Sequence, residues 1–422
     1  MGLWRPAAAS GGACGGAAAS LPGALSCVAI GLLSLCCASK LFVDTPTELT
    51  ELTVCAYLFV IITANFVKAC CLLLQRNTLH ELVTLLAEAK KKNVIDVQHN
   101  EEIRSSYGRT SVRLYRYLQV MIVVSSIAWL FVTVPFRVFT AGSTNIDWPT
   151  PIPLWLPIDM QLSPTYELIY LGQVLCAVAT AGAMLGVDTL FFHLTLMIVA
   201  ELQVLNDNIS VVGRVASLDE KGVVPRVKDA GEQQQNFSDV INNGQNEGGA
   251  PLSNPQATIT DKNYSDLIEI IQHHQIIIKM VGLLQTIMDY SVSVLILTNV
   301  LDVCFLIFTM SELLHNEKSL HAVLQTILSL PCLLCESGAF CMFGQMIIDQ
   351  SENLVHAGFS CEWLDADISF RKPLLKFMLM ASHPLQIKLG GTAKLSRSTF
   401  LQALNGSYTL INLLYHSRRP EG

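Results

Sequence analysis

The sequence predicts an all-α integral membrane protein with seven transmembrane helices. Two observations carry that expectation. Charged residues are 14% of the chain and apolar residues 51%, whereas a soluble domain carries roughly a quarter charged residues. The apolar residues are also gathered into long blocks, and a helix needs about 20 residues to cross a hydrocarbon core of about 30 Å. Such blocks fall at about 21–43, 52–75, 115–138, 167–200, 276–311, 319–348 and 394–416.

Taken in order, the first block runs from Leu21 to Val43 with only Lys40 interrupting it. It is longer than the apolar region of a secretory signal and is expected to remain as the first span. The second is apolar apart from Lys68, and the third carries charge only near its ends, at Arg116 and Arg137. The fourth and fifth exceed a single crossing and are expected to project beyond the membrane on one side, towards Leu205 and back from about Tyr264. The seventh contains no charge from Ser398 to Tyr415 but carries Ser398, Thr399, Gln402, Asn405, Ser407, Thr409 and Asn412. Asn405, Thr409 and Asn412 stand at i, i+4 and i+7, one polar stripe on a helix. A polar stripe in a membrane must face protein or water.

Loop charge sets the orientation, because Lys and Arg accumulate on the cytoplasmic side. Arg76, Lys90, Lys91, Lys92, Arg104, Arg109 and Arg113 lie between the second and third spans, and Arg371, Lys372, Lys376 and Lys388 between the sixth and seventh. The loop from Thr140 to Tyr166 has neither Lys nor Arg. This alternation predicts a cytoplasmic N-terminus and an extracellular C-terminus. That topology and the absence of an acidic-Arg-aromatic triplet after the third span argue against a rhodopsin-like receptor.

Residues 218–263 are rich in Gly, Gln, Asn and Pro and poor in large apolar residues. Such a composition buries too little surface to fold, so a disordered cytoplasmic loop is expected there. The net charge of −7 and the lack of a basic, aromatic-interleaved patch argue against nucleic-acid binding. Most of the thirteen cysteines lie inside the apolar blocks, where they act as small hydrophobes. Cys332 and Cys335 have metal-ligand spacing but lack a second pair, so no metal or other cofactor is expected. No catalytic constellation stands out, and an enzyme is the weakest class.

Charges inside spans are costly and need partners. Lys68 and Lys279 stand near span ends, where their long stems are expected to carry the ammonium to the interface. Asp302 and Glu336 are too deep for that and are candidates for a structural or gating role.

The C-terminal forty residues carry a family resemblance. His383-Pro384-Leu385-Gln386, Leu389-Gly390-Gly391, Leu395-Ser396, Thr399-Phe400 and Ser407-Tyr408 occur in the order of the C-terminal signature of insect odorant receptors. The chain resembles that family over nearly its whole length, and gustatory receptors are the near alternative. The resemblance implies the insect chemoreceptor channel fold: one seven-helix domain over residues 1–422, a cytoplasmic anchor at 352–391 and a pore-lining last helix at 394–416. It implies a ligand-gated, non-selective cation channel built as a heterotetramer with the odorant receptor co-receptor, in the dendritic plasma membrane of olfactory neurons. Matched on Ser407-Tyr408, Ile411 falls at the hydrophobic gate, with Thr409, Asn412 and Leu414 beside it. Leu414 replaces a Gln of the co-receptor, which fits a ligand-tuning subunit.

The same resemblance places a pocket for small volatile ligands in the outer half of the bundle. Candidate lining residues are Tyr57, Ile61, Trp129, Val132, Tyr170, Gln173, Thr298 and Ile327. Membrane lipid surrounds the whole. A secondary transporter is the reading from another class, but the chain lacks the internal repeats that transporters usually carry.

Overall fold

The computed structural model describes residues 13–91, 96–131, 150–156, 162–220, 255–315, 320–361, 363–364 and 366–418. Its helices are α1 (Ala13–Phe42), α2 (Leu49–Leu74), α3 (Arg76–Ala89), α4 (Val97–Phe131), α5 (Thr165–Glu220), α6 (Pro255–His315), α7 (Leu320–Ser360), α8 (Ile368–Ala381) and α9 (Arg397–Arg418). A short antiparallel hairpin, β1 (Lys388–Leu389) with β2 (Ala393–Lys394), precedes α9.

Five of these helices contain stretches long and apolar enough to span a membrane: Gly23–Phe42, Glu51–Leu74, Thr165–Val212, Lys262–Leu313 and Gln325–Ser360. The other two expected spans lie on α4, whose apolar end runs into undescribed residues 132–149, and on α9, diluted by its amides and hydroxyls. At 56 and 61 residues, α5 and α6 run about 84 and 92 Å at ~1.5 Å per residue. Each therefore extends far past the bilayer, as their length predicts.

The extensions build an anchor end. α3 lays Leu79, Leu82, Leu86 and Ala89 against the bundle, and α8 does the same with Phe370, Leu374, Phe377, Met378 and Ala381. Both are apolar stripes at helical spacing on otherwise polar helices. Asp367 caps α8, accepting from the Ser369 amide and hydroxyl, and these bonds hold its carboxyl below the usual range. A large buried core runs through α3, α8, the hairpin and the adjoining parts of α5, α6 and α7. A second, smaller core at the opposite, cavity end joins α1, α2 and Ile152 to single residues of α5, α6 and α7.

Two local features differ from the sequence expectation. The last helix begins at Arg397, since residues 393–394 pair with β1. Gly390 and Gly391, at φ of 55° and 75°, make the turn that side-chain-bearing residues resist. α6 begins at Pro255, inside the stretch expected to lack order, and Pro suits a first turn because its missing N–H has no intrahelical partner there. Residues 221–254 of that stretch lie outside the described residues.

Candidate functional site

At the cavity end, four helices each contribute one face. Tyr57, Leu58, Ile61, Ile62 and Asn65 line it from α2, and Ile122, Ser125, Ser126 and Trp129 from α4. Ala177, Thr180, Ala181 and Met184 line it from α5, and Ser329, Cys332, Leu333 and Glu336 from α7. Every set follows i, i+3, i+4, i+7 spacing, so each face is set by helical periodicity. Leu33 of α1 and Ile152 complete a cavity of about 210 Å³.

The segment 150–156 covers this space. Trp129 Nε1 donates to the Pro151 carbonyl at 3.0 Å, and Ser39 Oγ to the Trp155 carbonyl at 3.0 Å. Gln173 clamps Ile152 twice, donating to its carbonyl at 3.1 Å and accepting its amide N–H at 3.2 Å. The prolines there restrict the backbone further.

Beneath the cavity lies a buried ion cluster. Lys68 Nζ donates to Asp188 Oδ1 at 2.9 Å and to Glu336 Oε1 at 2.7 Å, and the lysine is 2% exposed. This corrects the expectation for Lys68: its ammonium does not reach an interface. One turn beyond Asn65 on the same face of α2, it is held between two helices that each bring a carboxylate. Phe340 stacks on Phe191 at 4.8 Å under the cluster, with the Lys68 ammonium 5.9 Å from the Phe340 ring. Asp302 on α6 is also fully buried, and neither of its oxygens has a hydrogen-bond partner among the described residues. Lys279, by contrast, is exposed and meets Glu81 at 2.8 Å, close to the surface role expected of it.

A second cluster sits towards the anchor end. Arg104 grips Glu201 with Nε and Nη2, both at 2.9 Å, and His273 Nε2 lies 3.2 Å from the same carboxylate. Burial disfavours charge on Arg104, but the bonds to Glu201 and Glu101 outweigh it and raise its pKa. The sequence offered no partner for Glu201 or His273, because the three residues come from α4, α5 and α6.

Of the candidate ligand residues, Tyr57, Ile61 and Trp129 share the cavity wall. Gln173 does not line it: its amide is consumed in clamping Ile152. Thr298 donates to its own helix at Val294 and Leu295, and Ile327 is 48% exposed on the outer surface. Tyr170 stands beside Tyr166, ring centroids 6.0 Å apart. Val132 lies outside the described residues. Leu33, Asn65, Ser126 and Thr180 were missed, although the spacing from Tyr57 and Ile61 along α2 leads directly to Asn65.

On α9, Ser407 and Ile411 face the bundle. Ser407 Oγ donates to the Val300 carbonyl of α6 at 3.2 Å, and Ile411 is buried. Asn405, Thr409 and Asn412 are exposed on the opposite face. Ile411, expected at the gate, is buried against the bundle in this chain, because i+4 spacing from Ser407 turns it inward. Leu414 is helical, but its side chain lies outside the described residues.

The comparisons agree with this architecture. The model of the 7tm odorant receptor family matches residues 48–408. Odorant receptor 10 of Aedes albopictus is 26% identical over 63% of this chain and 59% of its own length. Odorant receptor 33a of Drosophila melanogaster is 25% identical over 36% of this chain and 40% of its own length. The solved olfactory receptor OR5 of Machilis hrabei, in complex with eugenol, superposes at a TM-score of 0.73 with 16% identity, covering 99% of this chain and 94% of that one. With the family model spanning most of the sequence and the helical architecture in agreement, the chain belongs to the 7tm odorant receptor family, whose members are membrane receptors and not enzymes.

Proposed function

We propose that the chain is the ligand-tuning subunit of a ligand-gated, non-selective cation channel in the dendritic plasma membrane of olfactory neurons. In this reading its N-terminus is cytoplasmic, its C-terminus extracellular, and its partner is the odorant receptor co-receptor in a heterotetramer. The carrying observation is the roofed cavity of about 210 Å³, walled by Tyr57, Ile61 and Trp129. Its walls are mainly apolar with few polar groups, the chemistry of a small-molecule site. The relative from Machilis hrabei was solved holding eugenol, itself a small aromatic molecule.

The conduit in this proposal is formed by the free polar face of α9, with Asn405, Thr409 and Asn412 towards neighbouring subunits. Ile411 at its back joins that face to the bundle, so movement of α6 or α7 would reorient it. Ligand opens the channel only if it binds the open arrangement more tightly than the closed one. The residues 352–391, including Trp363, Arg371, Lys372 and Pro373, supply the cytoplasmic anchor where subunits meet. Co-expression with the co-receptor in oocytes, with currents recorded under a broad panel of volatiles, tests the reading. Odorant-evoked cation current is expected; silence over the panel despite surface expression would refute it.

A further inference from the structure

The polar groups around the cavity are unequally spent. Trp129 Nε1 donates to the Pro151 carbonyl. Thr180 Oγ1 donates to the Cys176 carbonyl at 2.8 Å, and Ser329 Oγ to the Gln325 carbonyl at 2.9 Å. Asn65 Nδ2 donates to the Ile61 carbonyl at 3.0 Å. Lys68, just below, spends its protons on Asp188 and Glu336. Ser125 Oγ and Cys332 Sγ, 3.0 Å apart, satisfy one another.

The acceptors are not matched in the same way. Asn65 is 7% exposed, and its Oδ1 is buried without a donor among the described residues. A hydroxyl that donates to its own helix keeps lone pairs to accept with, which applies to Thr180. Glu336 adds an anionic wall whose Oε1 already faces Lys68. Ser126 and Tyr57 supply the remaining hydroxyls of the lining, and that of Tyr57 bonds with the Ser329 side chain. The hydroxyls of Ser126 and Tyr57 can each donate or accept, so among the described residues the Asn65 carbonyl is the lining group that stands buried without a partner.

We infer that this cavity selects small, largely apolar ligands that carry a hydrogen-bond donor, such as alcohols and phenols, and that Asn65 is the residue that reads the donor. This deepens the ligand-binding reading above and rests on it. A ligand hydroxyl supplies what the Asn65 carbonyl lacks, while the rest of the molecule fills the space among Tyr57, Ile61 and Trp129. An ether, ester or ketone of the same skeleton brings only an acceptor to the Asn65 carbonyl, loses its own hydration and leaves that carbonyl unpaired. Discrimination of this kind arises because a site built for a hydrogen bond leaves polar atoms unpaired with the wrong ligand.

The experiment measures binding of matched pairs, each an alcohol or phenol with its methyl ether, to the full chain in lipid nanodiscs. Quenching of tryptophan fluorescence is the readout, since Trp129 lines the cavity. Wild type should prefer the hydroxyl member by about tenfold, the scale of one net hydrogen bond. Asn65→Leu should collapse that ratio through lost affinity for the hydroxyl member, and a thermal unfolding midpoint matching wild type certifies that the variant is folded. Equal or reversed preference in wild type overturns the inference, whatever the variant does. A ratio that survives in a folded Asn65→Leu protein also overturns the role of Asn65. If neither member of any pair binds, the cavity is not a ligand site, and the underlying reading fails along with the inference.

Discussion

The cavity end and the anchor end solve the problem of packing the same helices in opposite ways. Towards the anchor, α5, α6 and α7 are joined by α3, α8 and the β1–β2 hairpin into one large dry core, with Leu79, Leu202, Leu284 and Leu354 fully buried. At the cavity end a smaller core leaves about 210 Å³ unfilled, beneath a roof held by hydrogen bonds to Trp129, Ser39 and Gln173. Protein interiors normally close-pack, so the retained space between well-formed helices sets this end apart and is where the proposed ligand would sit. Each end also holds a buried ion cluster, and the clusters differ in solvent. Lys68, Asp188 and Glu336 are buried within helix segments of membrane-spanning character. Arg104 also pairs with Glu101, which is well exposed to water.

Breaking the ion clusters gives the largest contrast. Lys68→Met strands two carboxylates and should cost about 3–5 kcal/mol, the usual effect of removing one partner of a buried pair. Arg104→Met still leaves the buried Glu201 carboxylate with His273 3.2 Å away, so a smaller loss is expected. Thermal unfolding of the two purified variants, with surface expression as a second measure, decides this. Equal losses would mean that the two clusters share one environment.

The cores provide the next test. Leu202→Ala, in the dry core, should fall in the upper part of the about 2–5 kcal/mol range for such truncations. Leu58→Ala, which only widens an existing space, should lie near the bottom. Comparable losses in denaturation would erase the distinction between the ends.

A smaller effect is expected at the junction of α7 with the hairpin. A Cβ on Gly344 would collide with the Leu395 carbonyl and side chain, so Gly344→Ala should displace the hairpin and cost about 1–3 kcal/mol, as overpacking does. Cysteine labelling at Ala393 should accelerate in that variant. Unchanged labelling would show that the contact is dispensable.

The smallest stability effects should come from the free face of α9. Asn412→Ala and Thr409→Ala should shift stability by no more than about 0.5 kcal/mol, as exposed changes do, yet alter single-channel conductance. Ile411→Ala should do the reverse in part, lowering stability by about 2 kcal/mol through lost packing. Altered conductance from Ile411→Ala without destabilisation would assign that side chain to the gate and not to packing.

Much of this was legible in the chain itself. The amide and hydroxyl stripe of α9, the Gly390-Gly391 turn and the overlong fourth and fifth blocks follow from helical period, φ freedom and length. The presence of Tyr57, Ile61 and Trp129 at one cavity agrees with the family resemblance. Gln173, Thr298 and Ile327 fell elsewhere because the family resemblance indicated a region and not the direction of each side chain. Lys68 was misjudged for a related reason: its partners stand 120 and 268 residues away, and no local pattern announces a charge neutralised across such a separation.

The sequence by itself determined that this protein is a bundle of membrane helices with a polar last helix, because apolar length, periodicity and loop charge are local properties. Only the tertiary structure decided which charges are paired, which face of α9 is free and where space was left. Those outcomes depend on the rotation of each helix against its neighbours, and that rotation is set by packing between residues far apart in the chain.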